Sequence, residues 1–280
     1  MKYIRIFYKL IVIVLLVLFI VLFMSILKLI ISIFSKKLSN RFGFLNSKWV
    51  TRFLLLILGI RLKVSGSENI PKENGYVVFG NHFGYAELLS LASLTPIAFV
   101  SKQEIRKWPV LGFAISLGGT IFVDRDSGGK ANMYVEQVKD ALKNKINVFF
   151  SPEGTNSDST FLYEFKSALF VPANQLNYPV LPYACTIDKV NNIKADKESR
   201  LKVAWFGDEL SFGQHFITFL GLKNMDLSMH IMKPRFPKYD DNDINERRKF
   251  ASEMRDLISG KLAEMDADFD AEYIGMRDKK

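Results

Sequence analysis

The sequence is poor in cysteine and histidine, and it lacks several short patterns that mark common enzyme classes. One cysteine, Cys185, in 280 residues excludes an internal disulfide framework and a zinc site made of several cysteines. The three histidines have no metal-ligand spacing. No P-loop, dinucleotide-binding glycine pattern or G-x-S-x-G turn occurs either. These absences argue against disulfide-rich scaffolds, zinc sites, P-loop enzymes and serine hydrolases.

Acidic residues are missing from the N-terminal end, and this absence locates the positive charge of the chain. The sequence has 38 Lys and Arg residues against 29 Asp and Glu residues, a formal net charge of +9. The first acidic residue is Glu68, and the 67 residues before it contain 11 basic ones. The remainder is close to neutral, so we expect no nucleic-acid partner. The basic segment instead indicates contact with membrane lipids.

That basic segment also contains the longest apolar run. Residues 10–27 include no charge, glycine or proline, and as a helix they would be about 27 Å long, close to the hydrocarbon thickness of a bilayer. The run is too long for a signal peptide, and it is apolar on every face, unlike a helix in a soluble core. We expect a membrane helix that spans or re-enters the bilayer. More basic residues follow the run than precede it, which predicts the downstream domain on the cytoplasmic side of the inner membrane.

A second apolar segment, residues 49–60, can form one helical face with basic residues at its margins. Two interpretations remain open from the sequence. The segment is either a core helix of the following domain or an interfacial helix that lies on anionic lipid.

The chain after residue 65 alternates short apolar strands with amphipathic helices, which predicts one α/β domain with a largely parallel or mixed sheet. Three regions are expected: an N-terminal arm at 1–63, the α/β domain at 64–265 and a polar, loosely held tail at 266–280. Strands are predicted over 61–64, 76–79, 97–100, 120–123, 148–150, 180–187, 201–206 and 227–231. Helices are predicted over 84–93, 108–117, 130–144, 167–176 and 243–265, the last with Asp243 as its N-cap.

The loop after the predicted strand 76–79 carries a histidine followed by a glutamate five residues later. In a regular helix that spacing puts His82 and Glu87 about 140° apart. They can meet only if His82 lies in the turn before the helix and Glu87 in its first turn. A carboxylate on one ring nitrogen fixes the tautomer and leaves the other nitrogen as a general base for an alcohol. The spacing alone also fits a turn histidine beside a helix-stabilising glutamate.

Two further loop segments carry groups suited to a substrate. A glycine pair at 118–119 opens a short strand that ends near Arg125, whose guanidinium suits a phosphate or another anion. Glu153, Gly154 and Thr155 follow the predicted strand 148–150 in a tight turn whose backbone N–H groups can line a pocket. Both segments also have plain explanations, because Arg125 can pair with a neighbouring aspartate and a turn needs no ligand.

Taken in order, these segments resemble the lysophospholipid acyltransferase family typified by 1-acylglycerol-3-phosphate acyltransferase. The family blocks are Asn-His-x-x-x-x-Asp, Gly-x-Ile-Phe-Val-x-Arg, Phe-Pro-Glu-Gly-Thr-Arg and a proline-centred apolar strand. They are matched by residues 81–87, 119–125, 152–155 and 178–182, and the resemblance covers residues 60–235. Each block is modest alone, whereas four in this order and at family spacing are specific.

The sequence departs from the family pattern at three positions. Glu87 replaces an aspartate, which keeps the charge and adds one methylene, and Ser151 replaces a phenylalanine. Asn156 stands where the family often has an arginine that is thought to hold the acceptor phosphate. Lys102, where the family often has a lysine, or Lys166 can supply the missing positive charge.

The resemblance implies a glycerolipid-acyltransferase-like α/β fold and an O-acyltransferase of phospholipid biosynthesis. Acyl-CoA or acyl carrier protein would donate the acyl chain as co-substrate, with no metal and no further cofactor. The acceptor would be the free hydroxyl of a lysophospholipid such as 1-acylglycerol-3-phosphate. His82 and Glu87 would form the catalytic dyad, and backbone donors near Gly154 would stabilise the oxyanion. The residues implied to bind substrate are Arg125, Glu153, Gly154, Thr155, Lys102 and Lys166.

Two alternatives to that function stay open. The acceptor can be a different lysolipid, such as a lyso-ornithine lipid or a glycolipid. The chain can also be a non-catalytic membrane relative that binds lipid.

Overall fold

An eight-stranded mixed sheet, flanked by helices on both faces, forms the centre of the computed structural model, which describes residues 1–108, 111–123, 131–207 and 210–275. The α-helices are α1 Lys2–Phe34, α2 Lys36–Leu58, α3 Tyr85–Leu94, α4 Leu111–Leu117, α5 Ala131–Lys143, α6 Val171–Leu176, α7 Lys197–Arg200, α8 Phe212–Leu220 and α9 Ile244–Met265. The strands are β1 Ile60–Ser65, β2 Val77–Gly80, β3 Ala98–Lys102, β4 Ile121–Val123, β5 Val148–Phe149, β6 Leu162–Tyr163, β7 Val180–Val190, β8 Ile193–Lys194, β9 Met225–Ile231 and β10 Ile274–Gly275.

The strand order explains where a site can form. The order is β1-β9-β7-β2-β5-β3-β4, with β8 paired to β7. The five strands from β7 to β4 run parallel, β9 runs antiparallel to β7, and β1 runs parallel to β9. The carboxyl ends of β2 and β5 therefore meet at one edge of the sheet, where α/β proteins place their sites. The predicted α/β class and mixed sheet are confirmed.

Two hydrophobic clusters fill the two faces of the sheet. One packs β-strand residues such as Val78 against α2, α3 and α8. The other packs Val77 and Phe79 against α5, α6 and α9. Successive residues of β2 thus enter opposite clusters, as the two-residue period of a strand requires. A strand that is buried on both faces explains the continuous apolar run of β2.

The arm lies against the domain and is fastened to it by lysines of α1. Lys9 is buried, and its Nζ donates to the carbonyl oxygens of Leu58 and Leu222 at 2.8 Å each. The Nζ of Lys28 donates to the carbonyl oxygen of Leu117 at 3.3 Å. These carbonyls lie at or just beyond the C-terminal ends of α2, α8 and α4, where unpaired carbonyls and the helix dipole favour a cation.

Helix α2 combines the two interpretations that the sequence left open. Leu55 and Leu58 are buried in the hydrophobic cluster that also contains Val78. Trp49 and Leu56, on the other side, are 65% and 77% exposed. One face of α2 is thus a core helix face, while the other face is apolar and uncovered.

The prediction of a strand over 201–206 is wrong. Residues 201–204 form a turn after α7, because Val203 and Ala204 both donate their N–H groups to the carbonyl of Arg200. The apolar residues Val203 and Ala204 are buried, but they lie in this turn and not in a strand. Helix α8 follows and was not predicted, although Ser211 and Gln214 form a capping box at its start that the sequence displays.

The prediction of a loosely held C-terminal segment is wrong for residues 266–275. Asp266 forms an ion pair of 2.7 Å with Arg200, whose side chain is 3% exposed. Strand β10 then pairs in parallel with β6. A buried guanidinium needs a carboxylate partner, and Asp266 is that partner. Helix α9 begins as expected, with the Asp243 side chain accepting from the N–H groups of Asn245 and Glu246.

Candidate active site

His82 and Glu87 meet at the carboxyl end of β2. The strand ends at Gly80, His82 lies in the turn that follows, and Glu87 is the third residue of α3. Nδ1 of His82 contacts Oε1 of Glu87 directly. The Glu87 side chain is completely buried, whereas the His82 side chain is 15% exposed. With Nδ1–H donating to the carboxylate, the lone pair of the other ring nitrogen, Nε2, is left to accept a proton.

Asn81 fixes the turn that carries His82. Its side-chain amide donates to the carbonyl of Cys185 at 2.8 Å and accepts from the N–H of the same residue at 2.8 Å. The Tyr183 hydroxyl donates to the Asn81 carbonyl at 3.0 Å. An asparagine suits this position because its amide offers a donor and an acceptor side by side to one backbone residue of β7.

Gly84 is needed where the turn becomes α3. Its φ of +147° is outside the range that other residues adopt readily, and a Cβ there would lie 3.2 Å from the backbone nitrogen of Trp205. That nitrogen donates to the carbonyl of Phe83 at 2.8 Å. The close approach brings the loop at 205 onto the turn that holds His82, a contact that the sequence did not predict.

Glu153, one of the residues implied to bind substrate, lies beneath the turn that carries His82. It is completely buried. Its Oε1 accepts from the N–H of His82 at 2.8 Å, and its Oε2 accepts from the N–H of Tyr163 at 3.0 Å. The same loop also holds the other side of the histidine peptide, because Ser157 donates its N–H to the His82 carbonyl at 2.8 Å. The structure therefore joins the first and third sequence blocks through backbone contacts of His82.

Gly154 and Lys166 form the outer part of the third block. Gly154 has a φ of +70°, and a Cβ there would lie 2.7 Å from Nζ of Lys166. The N–H of Gly154 donates to the carbonyl of Ser151 at 3.1 Å, so it closes the turn rather than pointing to an oxyanion. Thr155 is exposed beside it. The glycine thus makes room for the long side chain of Lys166, which brings a cation to this edge.

Asn156, which replaces the arginine of the family pattern, has a structural contact. Its side-chain amide donates to the carbonyl of Trp205 at 2.9 Å. The asparagine therefore ties the third block to the same loop that covers Gly84. It adds no positive charge to the site.

Two predicted substrate-binding residues cannot be located fully. Arg125 lies outside the described residues. Lys102 is the last residue of β3, but its side chain is not among those described. Within the described ranges, no group of three or more His, Cys, Asp or Glu side chains could hold a metal ion.

Two other reactive side chains, Cys185 and His215, are part of the core. Burial raises the pKa of the Cys185 thiol well above its ordinary value, which disfavours the reactive thiolate. His215 is buried, and its ring contacts the Tyr85 hydroxyl at 2.6 Å and the Leu201 carbonyl at 3.1 Å. Burial lowers the pKa of His215, so it is a neutral core histidine.

Residues 61–186 match the family model described as Acyltransferase. The chain is 27% identical over 164 residues to the lyso-ornithine lipid O-acyltransferase of Rhizobium meliloti (strain 1021), covering 56% of each protein. It is 35% identical over 133 residues to the 1-acyl-sn-glycerol-3-phosphate acyltransferase of Neisseria meningitidis serogroup B, covering 48% of this chain and 52% of the relative. The chain thus matches about half the length of these curated relatives.

A solved structure extends the likeness of fold beyond the matched domain. The crystal structure of the 1-acyl-sn-glycerophosphate (LPA) acyltransferase PlsC from Thermotoga maritima superimposes with a TM-score of 0.64 at 20% sequence identity. The match covers 95% of this chain and 98% of that chain. Coverage of that extent includes most of the N-terminal arm as well as the domain.

Proposed function

We propose that this protein transfers an acyl chain from an acyl thioester to the free hydroxyl of a lysolipid. The observation that carries the proposal is the contact of the partly exposed His82 ring with the buried carboxylate of Glu87. A buried carboxylate holds the imidazole in one tautomer and stabilises the imidazolium that forms when the ring takes a proton. The names of the relatives from R. meliloti and N. meningitidis support the same reaction class.

The reaction needs one proton acceptor and no covalent enzyme intermediate. Nε2 of His82 takes the proton of the acceptor hydroxyl while the hydroxyl oxygen bonds to the thioester carbonyl carbon. The tetrahedral intermediate collapses, the carbon–sulfur bond breaks, and the proton passes from the imidazolium to the departing thiolate. Base catalysis of this kind contributes about 10²–10⁴-fold to the rate.

We propose an acceptor that carries an anionic group, with 1-acylglycerol-3-phosphate as the first candidate. Lys166 brings a cation next to the third block, which favours a phosphate or a carboxylate on the lipid. Lyso-ornithine lipid is the second candidate, because Asn156 replaces the family arginine and binds the Trp205 carbonyl. The relatives carry both names.

The arm is proposed to insert into one leaflet of the inner membrane from the cytoplasmic side. Among the described residues, one helix, α1, is long and apolar enough to span a membrane. Lys9 and Lys28 nevertheless bind the same domain at points about 28 Å apart along that helix. A helix held to one body at both points lies along its surface and does not carry its N-terminus to the opposite side. Apolar side chains of the arm that stay exposed include Phe7, Leu15, Phe19, Leu22, Ile33, Phe34, Trp49 and Leu56.

The test of the activity is an assay of the full chain in detergent with labelled acyl-CoA or acyl carrier protein and a panel of lysolipids. Wild type should acylate one anionic lysolipid, and His82→Ala should lose transfer while it still binds membranes. The matched control is His230→Ala, since His230 contacts Ser65 and lies apart from the dyad. Near-wild-type acyl transfer by His82→Ala would contradict the proposed mechanism. Acylation of lyso-ornithine lipid alone would identify the second candidate as the acceptor.

The test of the arm uses single cysteines in a Cys185→Ala background. Tyr3→Cys near the start of α1 and Lys197→Cys in α7 replace exposed residues. In sealed vesicles an impermeant maleimide should label both positions from the cytoplasmic face. Labelling of the two positions from opposite faces would show a spanning helix instead.

A further inference from the structure

Glu153 has no exposed surface at the edge of the sheet where His82 lies. It is completely buried, and each carboxylate oxygen accepts a backbone N–H, one from His82 and one from Tyr163. Its neighbour Lys166 occupies the outer side of this turn above Gly154. A buried side chain acts on the groups packed against it, and one of these groups is the backbone N–H of His82.

The loop around Glu153 controls both hydrogen-bonding groups of the His82 peptide. The Glu153 carboxylate accepts from the His82 N–H, and the Ser157 N–H donates to the His82 carbonyl oxygen, both at 2.8 Å. The contact between the His82 ring and Glu87 depends on the orientation of this turn. Fixing the peptide on two sides therefore sets the direction of the imidazole, since a side chain follows its own backbone.

Two buried carboxylates, Glu87 and Glu153, contact His82, and both also affect the hydroxyl of Tyr183. Burial raises the pKa of the Tyr183 hydroxyl well above its ordinary value, and the negative charges of Glu87 and Glu153 raise it further. Both carboxylates thus lie close enough to the Tyr183 hydroxyl to act on it. Glu87 contacts the ring of His82, and Glu153 contacts its backbone N–H.

We propose that Glu153 is a positioning residue for His82 and not a substrate-binding residue: by accepting the His82 N–H, it fixes the turn that carries the imidazole. This inference rests on the proposed acyl transfer. It differs from the role implied by the family resemblance, in which this glutamate would contact the substrate. The two roles predict different kinetic constants, because a lost substrate contact raises KM and a misplaced base lowers kcat.

The experiment compares three full-length variants with wild type and with His82→Ala. Glu153→Gln keeps the shape but removes the charge and one acceptor, while Glu153→Asp keeps the charge with a shorter reach. Asp266→Asn is the matched control, because it also alters a buried carboxylate but one that pairs with Arg200. Thermal unfolding of each variant separates a loss of fold from a loss of positioning.

Glu153→Gln should lower kcat by about 10²-fold with an unchanged KM for the lysolipid, as expected for a displaced catalytic group. Glu153→Asp should recover part of the lost kcat with the same KM, and folded Asp266→Asn should keep wild-type constants. A raised KM with an unchanged kcat, or a wild-type kcat in Glu153→Gln, would overturn the inference.

The failure of this inference can be told from a failure of the proposed function. If His82→Ala transfers acyl chains as fast as wild type, the proposed function itself fails. If His82→Ala is inactive while Glu153→Gln keeps the wild-type kcat, only the positioning role fails.

Discussion

The arm and the active-site edge both bury charged side chains, but with opposite sign and for different results. In the arm, the ammonium of Lys9 lies between the carbonyl oxygens of Leu58 and Leu222. At the site, the carboxylate of Glu153 lies between the N–H groups of His82 and Tyr163. Each buried charge is thus satisfied by backbone groups that secondary structure leaves unpaired.

The difference between the two regions lies in what the buried charge holds in place. In the arm, Lys9 fixes a helix whose outer face is apolar and uncovered. At the site, Glu87 contacts the ring of His82 and Glu153 accepts its backbone N–H, while the imidazole stays partly exposed. In the proposed function, the buried ion of the arm would orient a surface toward lipid, and the buried ions of the site would orient a base toward a hydroxyl. Variants that remove these ions should affect stability in the first region and rate in the second.

The largest effect is expected at Glu87. Glu87→Gln should lower kcat on the order of 10³-fold, because the amide no longer fixes the tautomer or stabilises the imidazolium. Glu87→Asp should be milder, since it keeps the charge and restores the residue of the family pattern. The acyl-transfer assay measures both, and a Glu87→Gln variant within a few-fold of wild type would remove the dyad from the mechanism.

A smaller effect, on stability, is expected at Lys9. Lys9→Met keeps the aliphatic stem but leaves two buried carbonyls without their donor, at a cost of about 1–3 kcal/mol. Chemical unfolding in detergent measures the change, with the exposed Lys63→Met as the control. Equal stability of the two variants would show that the Lys9 contacts do not fasten the arm.

The smallest effect is expected on the pH dependence of folding stability, through the buried ring of His215. Burial lowers the pKa of His215 below its ordinary value of 6.5, so the unfolded chain binds the proton more readily than the folded one. Stability should therefore fall as pH drops below 6.5 and continue to fall until the folded pKa is reached. Unfolding followed from pH 7.5 to 5 should show a flatter dependence in His215→Gln, and identical slopes would contradict the buried neutral ring.

Much of this architecture could be predicted from local sequence. The strands around 77–80, 98–102 and 225–231 are short apolar runs, and Asp243 displays the N-cap of α9. The strand predicted at 201–206 fails because alternation alone does not distinguish a strand from a buried turn that the Arg200 carbonyl closes.

The site could be predicted in part, for a related reason. The five-residue spacing of His82 and Glu87 was enough to predict the condition under which they meet. The role of Glu153 could not be predicted, because its partners are backbone N–H groups of distant residues that no side-chain pattern records. The contact of the arm with the domain through Lys9 could not be predicted from the sequence either, because its carbonyl partners lie 49 and 213 residues away.

The most direct measurement is the acyl-transfer rate of the double variant His82→Ala, Glu87→Gln beside the two single variants. If the two residues act as one base, removing Glu87 has no further effect once His82 is gone, and the double variant should match His82→Ala. A double variant that is slower than His82→Ala by the full factor of Glu87→Gln would contradict the account, because the carboxylate would then act independently of the histidine.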